Sequence, residues 1–375
     1  MNEHRRLHAG TEPPQRALIA AVDLSDPARP LRTELDELRA LAAAVGLVIA
    51  GEVVQKLQHV DPATMLGSGK AREIAEIVKE LDANVLLVFN DLRPRQRTNL
   101  EKIVPVGIVD RTMLILDVFA LHARTREGQL QVELAQLRYR QANLIGSSDA
   151  LSRLGGGVGT RGPGETKLEV DRRRIQSRVT VLNRQLEEVR RQRATRRGGG
   201  GRDPYVALVG YTNVGKSSLL NRLAGTGASA AFVADQPFAT LDPTMRRAYL
   251  APGLNARLAD TVGFITALPQ ELVNAFRATL EELDAADLML HVVDASNPDW
   301  PRQRTSVETI LAELHLEEKP ALLVANKVDR LTQEQRDELP RDALQVSAVS
   351  GDGIEALRAA VVTRLAVLRQ AQNDR

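Results

Sequence analysis

Cysteine is absent from the 375-residue sequence, and aromatic residues make up only 3% of it. Without cysteine, disulfide bonds and thiolate-ligated metal sites are excluded. The six histidines are scattered and show no spacing typical of metal ligands. The shortage of aromatic rings also leaves few partners for stacked bases, so any nucleic-acid contact is expected to involve phosphate and shape more than base reading.

Long hydrophobic runs are also missing. No apolar stretch approaches the roughly 20 residues that a membrane span needs. The first eight residues, MNEHRRLH, are polar and basic with no apolar core behind them, so no signal peptide is predicted. Together these absences predict a soluble, cytoplasmic protein, which we expect to be a monomer.

One stretch carries most of the chemical information. An apolar run, Val206–Val209, predicts a buried strand, and it leads into a loop that fits the phosphate-binding pattern G-x-x-x-x-G-K-[ST]. In such a loop, backbone N–H groups surround the phosphates, the lysine reaches the β- and γ-phosphates, and the hydroxyl binds Mg²⁺. The residues expected to bind nucleotide here are Gly210, Tyr211, Thr212, Asn213, Val214, Gly215, Lys216, Ser217 and Ser218.

Downstream residues predict that the base is guanine. A predicted strand at Leu322–Ala325 ends in Asn326, Lys327, Val328 and Asp329. The Asp329 carboxylate can accept from guanine N1–H and from the exocyclic amine, a donor pair that adenine lacks. Lys327 is expected to pack over the base and Asn326 to brace the phosphate loop. Backbone N–H groups of Ser347 and Ala348 are expected to meet guanine O6.

Two further segments are expected to sense the γ-phosphate. The first comprises Phe238, Ala239, Thr240, Leu241 and Asp242, and the second comprises Asp260, Thr261, Val262 and Gly263. Thr240 and Ser217 are expected to bind Mg²⁺ directly, with Asp260 acting through water; Thr244 is a competing candidate for the threonine. Lys216, Gly263 and Thr240 form the predicted catalytic set.

Two positions in this region bear on the rate of hydrolysis. Phe264 follows Gly263, where many GTPases carry a glutamine that positions the attacking water. A phenylalanine cannot bind water, so slow intrinsic hydrolysis that a partner accelerates is predicted. Asn213 could help to place K⁺ against the phosphates, or it could simply brace the loop.

The N-terminal region alternates between strand and helix patterns. Predicted strands at 17–24, 46–54, 85–89 and 106–109 are separated by predicted helices at 31–44, 71–81 and 93–103. Such alternation predicts a small parallel sheet with helices on its faces. Gly67–Lys70 is interpreted as a glycine-rich turn with Ser68 capping the next helix; a weak phosphate contact is the alternative.

Residues 112–197 predict a long antiparallel helical hairpin. Apolar residues fall at helical spacing from Thr112 to Leu144 and again, with heptad steps, from Leu168 to Val189. The connection at 146–167 is rich in glycine and arginine and far longer than a helical hairpin requires. It is interpreted as a nucleic-acid contact, with a passive flexible tip as the alternative.

The charge of the second helix supports the nucleic-acid interpretation. Between Arg161 and Arg197 there are eleven arginines and one lysine against five acidic residues, a local excess of seven positive charges. Basic residues clustered along one helix are typical of nucleic-acid binding, although a solvated coiled-coil face can look similar. The candidate RNA contacts are Arg153, Arg161, Lys167, Arg172, Arg173 and Arg174.

These motifs together resemble the HflX family of translation-associated GTPases. The most specific match is GGGVGTRGPGETKLEVDRRRI at Gly155–Ile175, supported by FATLD at Phe238, DTVGF at Asp260 and NKVD at Asn326. The resemblance extends from about Leu18 to Leu368. It implies a Ras-like G domain, binding to the large ribosomal subunit and its rRNA with the hairpin loop near the peptidyl-transferase centre, and splitting or rescue of stalled ribosomes under stress.

The sequence thus predicts an α/β protein with an N-terminal parallel α/β subdomain (1–111), a helical hairpin (112–197), a linker (198–203) and a P-loop G domain (204–370). Its predicted activity is hydrolysis of GTP to GDP and phosphate with Mg²⁺. An RNA-modification GTPase is a first alternative, but its second catalytic site would need a group such as a thiol. A binding scaffold with incidental hydrolysis is a second.

Overall fold

The computed structural model describes residues 14–26, 30–154, 167–197, 203–225, 238, 244–265 and 281–373. Within the described helices, side chains are outside the description at 145–154, 167–168, 190, 192–197 and 372–373. The chain divides into two compact units. The first comprises residues 1–121 and 129–188, and the second comprises residues 122–128 and 189–375.

The first unit contains a parallel sheet with strand order β2-β1-β3-β4. Its strands are β1 (Arg16–Asp23), β2 (Val48–Lys56), β3 (Val85–Val88) and β4 (Gly107–Asp110), and the helices between them are α1 (Leu31–Ala44), α2 (Ser68–Glu80) and α3 (Pro94–Glu101). β1 pairs with both β2 and β3, and its apolar run Ala17–Val22 is completely buried. The predicted parallel α/β subdomain is therefore present, because each apolar strand is covered by the amphipathic helices between strands.

The glycine-rich turn before α2 differs from the expectation in one detail. Ser68 is the first residue of α2, and the residue that precedes the helix is Gly67, with φ of 88°. No side-chain hydrogen bond caps this end, so Ser68 does not act as the predicted cap. A left-handed backbone conformation at this position favours glycine, which explains why the sequence has one there.

The predicted single helix from Thr112 to Leu144 is wrong, because the chain forms two helices here. These are α4 (Arg111–His122) and α5 (Arg126–Leu154). The Thr125 hydroxyl oxygen accepts a hydrogen bond of 3.0 Å from the Gly128 N–H. A threonine in this relation to the third residue of a helix is an N-cap, so it marks a new helix start that the apolar spacing alone did not reveal.

Helices α5 and α6 (Lys167–Arg197) run antiparallel and pack against each other in the first unit, which includes residues 129–188. Arg178 donates two hydrogen bonds, of 2.7 and 2.8 Å, to Glu133, and the side chain of Gln141 donates to that of Gln176 at 2.9 Å. The later residue of α5, Gln141, contacts the earlier residue of α6, Gln176, as an antiparallel pair requires. Val179, Leu182 and Leu186 are buried heptad residues in the described part of α6.

The glycine- and arginine-rich connection begins later than predicted. Helix α5 continues to Leu154, so it includes Gly146 and the following serines that the sequence placed in a loop. One glycine in a helix costs only about 1 kcal/mol relative to alanine, and helix formation resumes favourably after it. Residues 155–166, where the remaining glycines lie, are outside the described residues.

The second unit contains a sheet with strand order β10-β9-β8-β5-β7-β6, in which only β6 and β7 are antiparallel neighbours among the described strands. Its strands are β5 (Tyr205–Gly210), β6 (Thr244–Ala251), β7 (Leu254–Asp260), β8 (Leu288–Asp294), β9 (Ala321–Asn326) and β10 (Leu344–Gln345). Its helices are α7 (Lys216–Ala224), α8 (Trp300–Glu313), α9 (Gln333–Asp337) and α10 (Ile354–Asn373). β5 is central and wholly buried, and the loop that follows it begins at the carboxyl edge of the sheet.

None of the described helices is both long and apolar enough to cross a membrane.

The α5–α6 packing gives a direct test of stability. Leu182 is fully buried, whereas the neighbouring Val181 is 42% exposed. Leu182→Ala leaves a cavity and is expected to lower the free energy of unfolding by about 2–5 kcal/mol. Val181→Ala, the matched control, should change it by less than about 0.5 kcal/mol. Urea unfolding followed by circular dichroism measures both; equal shifts would contradict the packing described for α6.

Candidate nucleotide-binding site

The predicted phosphate loop connects β5 to α7, as the motif requires. Gly215 precedes α7 with φ of 93°, in the left-handed region. A Cβ atom at this position would lie 2.4 Å from the side-chain nitrogen of Asn326. Both the backbone conformation and the close approach of Asn326 therefore require glycine here.

Lys216 is buried at the start of α7, only 6% exposed. Its Nζ donates to the carbonyl oxygens of Gly210 at 3.1 Å and Tyr211 at 2.8 Å, so the ammonium lies against the inside of the loop. A Cβ atom at Gly263 would lie 2.7 Å from the Cα atom of Thr212 and 3.2 Å from Lys216 Nζ. Glycine at position 263 thus lets the second sensing segment approach the lysine closely.

Burial changes the acidity of this lysine. Desolvation lowers the pKa of Lys216 from 10.5 to about 8, and the nearby negative charge of Asp260 opposes the change. A buried ammonium is poorly stabilised unless an anion lies beside it. The loop is therefore an environment that gains from the arrival of negatively charged phosphates.

Ser217 and Asp260 lie together where the sequence predicts a metal ion. The Ser217 hydroxyl donates to the Asp260 carboxylate at 2.5 Å, and Asp260 is fully buried. Both groups offer hard oxygen atoms, which fit Mg²⁺. No group of three or more His, Cys, Asp or Glu side chains suited to a metal occurs in the described part of the chain. A Mg²⁺ ion shared with nucleotide phosphates needs no such cage.

The guanine motif is joined to the phosphate loop by the side chain of Asn326. Its Nδ2 donates to the Val214 carbonyl at 2.8 Å, while its Oδ1 accepts from the Ala348 N–H at 3.1 Å. The predicted bracing role of Asn326 is consistent with these contacts. One buried amide thereby links the ends of β9 and β10 to the loop after β5.

Lys327 makes a second link to the phosphate loop. It has φ of 65°, and its Nζ donates to the Asn213 carbonyl at 2.8 Å and to Asp294 at 2.6 Å. Asp294, the last residue of β8, was missed by the sequence analysis. Its position at the carboxyl end of an apolar strand could have identified it as a candidate site residue. The geometry around Asn213 lends no support to the potassium hypothesis.

Asp329 is exposed in a 3₁₀ helix, Val328–Arg330, beside Lys327. Val328 is buried in an apolar cluster, which fixes the neighbouring carboxylate at the surface. The Ser347 N–H donates to the Asp352 carbonyl at 2.9 Å, and the Ala348 N–H is already bonded to Asn326. Binding of guanine O6 by these N–H groups stays a prediction, and it requires one of these bonds to be exchanged.

The segment after β7 is tied to the phosphate loop by its backbone. Phe264 N–H donates to the Gly210 carbonyl at 3.1 Å, and Thr212 N–H donates to the Phe264 carbonyl at 2.7 Å. The Phe264 side chain is 2% exposed. Thr261, in the same segment, donates its hydroxyl to the Leu208 carbonyl at 2.7 Å.

Only part of the first sensing segment can be placed. Phe238 is buried with φ of 59°, and its N–H donates to the Thr212 hydroxyl at 3.0 Å. Ala239, Thr240, Leu241 and Asp242 lie outside the described residues. Thr244, the competing candidate, is the first residue of β6. The choice of Thr240 over Thr244 therefore stays a prediction.

The candidate RNA-binding residues are placed unevenly. Arg172, Arg173 and Arg174 are exposed on the first turns of α6. Lys167 begins α6 and Arg153 lies near the end of α5, with side chains outside the described residues. Arg161 also lies outside the described residues.

The parallel sheet, the glycine-containing loop around a buried lysine and the linked Asn-Lys-Val-Asp segment define a P-loop GTPase. Three family models match the chain in succession: GTP-binding GTPase N-terminal at residues 32–120, GTP-binding GTPase Middle Region at 122–199, and 50S ribosome-binding GTPase at 205–327. They run from the first unit through the G domain.

Curated relatives identify the family. GTPase HflX of Lacrimispora saccharolytica is 45% identical over 347 residues, covering 92% of this chain and 81% of the relative. GTPase HflX of Magnetococcus marinus is 49% identical over 331 residues, covering 86% and 76%, and that of Escherichia coli is 43% identical over 339 residues, covering 88% and 79%. The chain belongs to the HflX family of GTPases, which confirms the resemblance seen in the motifs.

A solved structure supports the fold. The crystal structure of an SsGBP and GDP complex aligns with a TM-score of 0.51 and 22% identity, covering 94% of this chain and 99% of that one. At this identity the match concerns the fold alone.

The lowered pKa of Lys216 predicts proton uptake on nucleotide binding. At pH 8 about half of the free protein should carry a neutral lysine, and phosphate charge should raise its pKa, so GDP binding should take up about half a proton. At pH 6.5 the lysine is already charged and uptake should vanish. Affinity should therefore fall as the pH rises through 8.

Calorimetry of GDP binding in buffers of different ionisation enthalpy measures this uptake. Lys216→Arg is the control, since its guanidinium remains charged throughout and titrations of the nucleotide are common to both proteins. Equal uptake by the two proteins at pH 8 would show that Lys216 is not the group that titrates.

Proposed function

We propose that this GTPase is a GTP-controlled switch that binds the large ribosomal subunit and splits or rescues stalled ribosomes, with the hairpin loop contacting rRNA. The observation that carries the proposal is the exposed run Arg172–Arg174 at the start of α6, directly after the glycine- and arginine-rich segment. Closely spaced exposed arginines favour a phosphate-rich surface. The family match described as a 50S ribosome-binding GTPase supports the choice of ribosomal RNA.

In this proposal Mg²⁺ is held by Ser217 and Thr240, with Asp260 acting through water. The contact between the Ser217 hydroxyl and the buried Asp260 carboxylate supports the assignment of those two residues. When bound, the ion neutralises charge on the β- and γ-phosphates. We propose no role for K⁺.

The protein's own contribution to hydrolysis is position and charge. Lys216 can transfer its hydrogen bonds from the Gly210 and Tyr211 carbonyls to phosphate oxygens, which are better partners for a buried ammonium. Gly263, whose missing side chain allows close approach to Lys216, is proposed to direct its N–H at the γ-phosphate. Phosphoryl transfer needs little more from a protein than such positioning and electrostatic stabilisation.

We propose that the side chain of residue 264 does not position the attacking water. The Phe264 backbone is bonded to the phosphate loop, and its ring is buried in the protein. A side chain that projects from this backbone enters the core instead of facing the nucleotide. The group that positions the attacking water is therefore proposed to come from the ribosome.

Ribosome binding should depend on the bound nucleotide. In sucrose gradients with ribosomes and isolated large subunits, the protein should co-sediment more strongly with a GTP analogue than with GDP or without nucleotide. Lys216→Ala should abolish this dependence, because it removes the phosphate contact. Identical profiles in all three states would refute the switch and favour a scaffold whose hydrolysis is incidental.

The same assay can measure the arginine contribution. Replacing Arg172, Arg173 and Arg174 with alanine should reduce the slope of log affinity against log salt by about 2–3. The control removes the same charge from exposed residues of the G domain, Arg330, Arg341 and Arg364, and should leave the slope nearly unchanged.

Hydrolysis should be slow alone and accelerated by ribosomes. Large subunits should raise the rate of phosphate release by about 10²–10⁴-fold, the contribution typical of one positioned catalytic group. Phe264→Gln should not raise the rate of the isolated protein, because its amide would be directed into the core. Equal rates with and without ribosomes, or a faster Phe264→Gln variant, would contradict this account of residue 264.

A further inference from the structure

A cavity of about 420 Å³ in the first unit is not used by the nucleotide site. It is enclosed by α3, α4, α5 and α6, and its volume falls within the roughly 300–1,000 Å³ typical of small-molecule sites. Part of its wall is aliphatic, formed by Met113, Leu116 and Ile175. Such a wall can cover the faces of a flat, partly apolar group.

Arg97 forms part of the wall of this cavity. Its Nη1 donates to the Ile108 carbonyl at 2.7 Å, and its Nη2 donates to Asp110 at 2.6 Å and to the Tyr139 hydroxyl at 2.9 Å. These contacts hold the guanidinium in place, yet Nε is buried and has no hydrogen-bond partner among the described residues. The side chain is therefore a fixed part of the cavity wall.

Asp117 supplies a hydrogen-bond acceptor. It also lines the cavity, and its contact with the protein is weak, since Gln136 Nε2 donates to it at 3.4 Å. Burial raises the pKa of Asp117 to about 6, with the charge of Arg140 opposing the change. A carboxylate in this environment would be stabilised by an N–H group from a ligand.

The exposed part of the lining carries charge. Arg140, Arg174 and Glu101 are the exposed residues around the cavity, and the Arg174 side chain is 78% exposed. Arg174 also belongs to the arginine run of α6. A ligand that enters here passes two guanidinium groups that can bind a phosphate, and the carboxylates of Glu101 and Asp171 line the same cavity.

We propose that this cavity receives one unpaired nucleobase of an RNA, with Arg140 and Arg174 binding the adjacent phosphates. A nucleobase is flat, carries N–H donors for Asp117, and can be covered by aliphatic side chains. The proposal rests on the proposed RNA contact of the hairpin. It is an exception to phosphate-only recognition, because hydrogen bonds and aliphatic contacts take the place of aromatic stacking.

The test uses the full chain saturated with GDP, so that the G domain does not bind the probe. The probe is a single-stranded RNA decamer with 2-aminopurine at its centre and a fluorescent label at one end. Anisotropy of the label reports total binding, and 2-aminopurine fluorescence reports whether a base leaves its stack. Wild-type protein should raise both signals.

Asn143→Trp fills the cavity, because Asn143 lines it, and Ala142→Trp places the same ring on the neighbouring exposed position. The filled variant should lose the 2-aminopurine signal and bind about 10-fold more weakly, the effect of one lost base and its hydrogen bonds. The control should behave as wild type. Equal signals from all three proteins would overturn the proposal.

Asp117→Asn provides a second variant that keeps the side-chain shape. It should reduce the 2-aminopurine signal even if Asn143→Trp fails to fold, and an unchanged signal would count against the proposal. Millimolar AMP, UMP and CMP separate the two sources of a base. If they bind this cavity as well as RNA does, the site is one for free nucleotides and the RNA proposal is wrong.

The outcome is separable from that of the proposed function. A wild-type protein that binds the decamer without any 2-aminopurine change overturns the cavity proposal, while nucleotide-dependent sedimentation with ribosomes would still support the switch. Loss of ribosome binding in every nucleotide state would instead refute the proposed function.

Discussion

The nucleotide site depends on the burial of one ammonium group. Lys216 has lost most of its water and is held by two backbone carbonyls of the loop that surrounds it. Carbonyls are weaker partners than phosphates for a cation, so the loop is organised before nucleotide arrives but is incompletely satisfied. This requirement also explains Gly263, since a side chain there would press on both the loop and the lysine. The close approach of Gly263 to the loop, on which its proposed γ-phosphate contact depends, is thus tied to how the lysine is buried.

Asn326 extends the same constraint to the segment predicted to bind the base. Its amide bonds to the phosphate loop through Val214 and to the segment after β10 through Ala348. Lys327 adds a contact with Asn213 and is itself anchored by Asp294. The carboxyl ends of the parallel strands β8, β9 and β10 therefore lie near the loop after β5, as expected for ligand sites in open α/β sheets. These few hydrogen bonds therefore link the segment predicted to select the base to the loop predicted to bind the phosphates.

The sequence predicted much of the fold, and it predicted which segments of the G domain lie together, for identifiable reasons. The phosphate loop and the Asn326–Asp329 segment follow rules of spacing and backbone chemistry that are local, so they could be recognised without tertiary contacts. The break between α4 and α5 was missed because apolar spacing continues across it, and only the Thr125 cap reveals it. Asp294 was missed because its partner, Lys327, is 33 residues away in sequence. The cavity could not be foreseen, because it arises from how four helices pack.

The placement of arginine suggests how one helix pair can serve both stability and binding. On α6, Leu182 and Leu186 are buried, while Arg178 is tied to Glu133 by two hydrogen bonds. Near the start of the helix Arg172, Arg173 and Arg174 are exposed, and Arg174 lies 3.9 Å from Asp171. Charges that are paired contribute little to attraction for a polyanion, whereas weakly paired ones keep nearly their full effect. The helix is therefore packed along its middle, and the RNA contact proposed for it would use the exposed arginines near the glycine-rich segment.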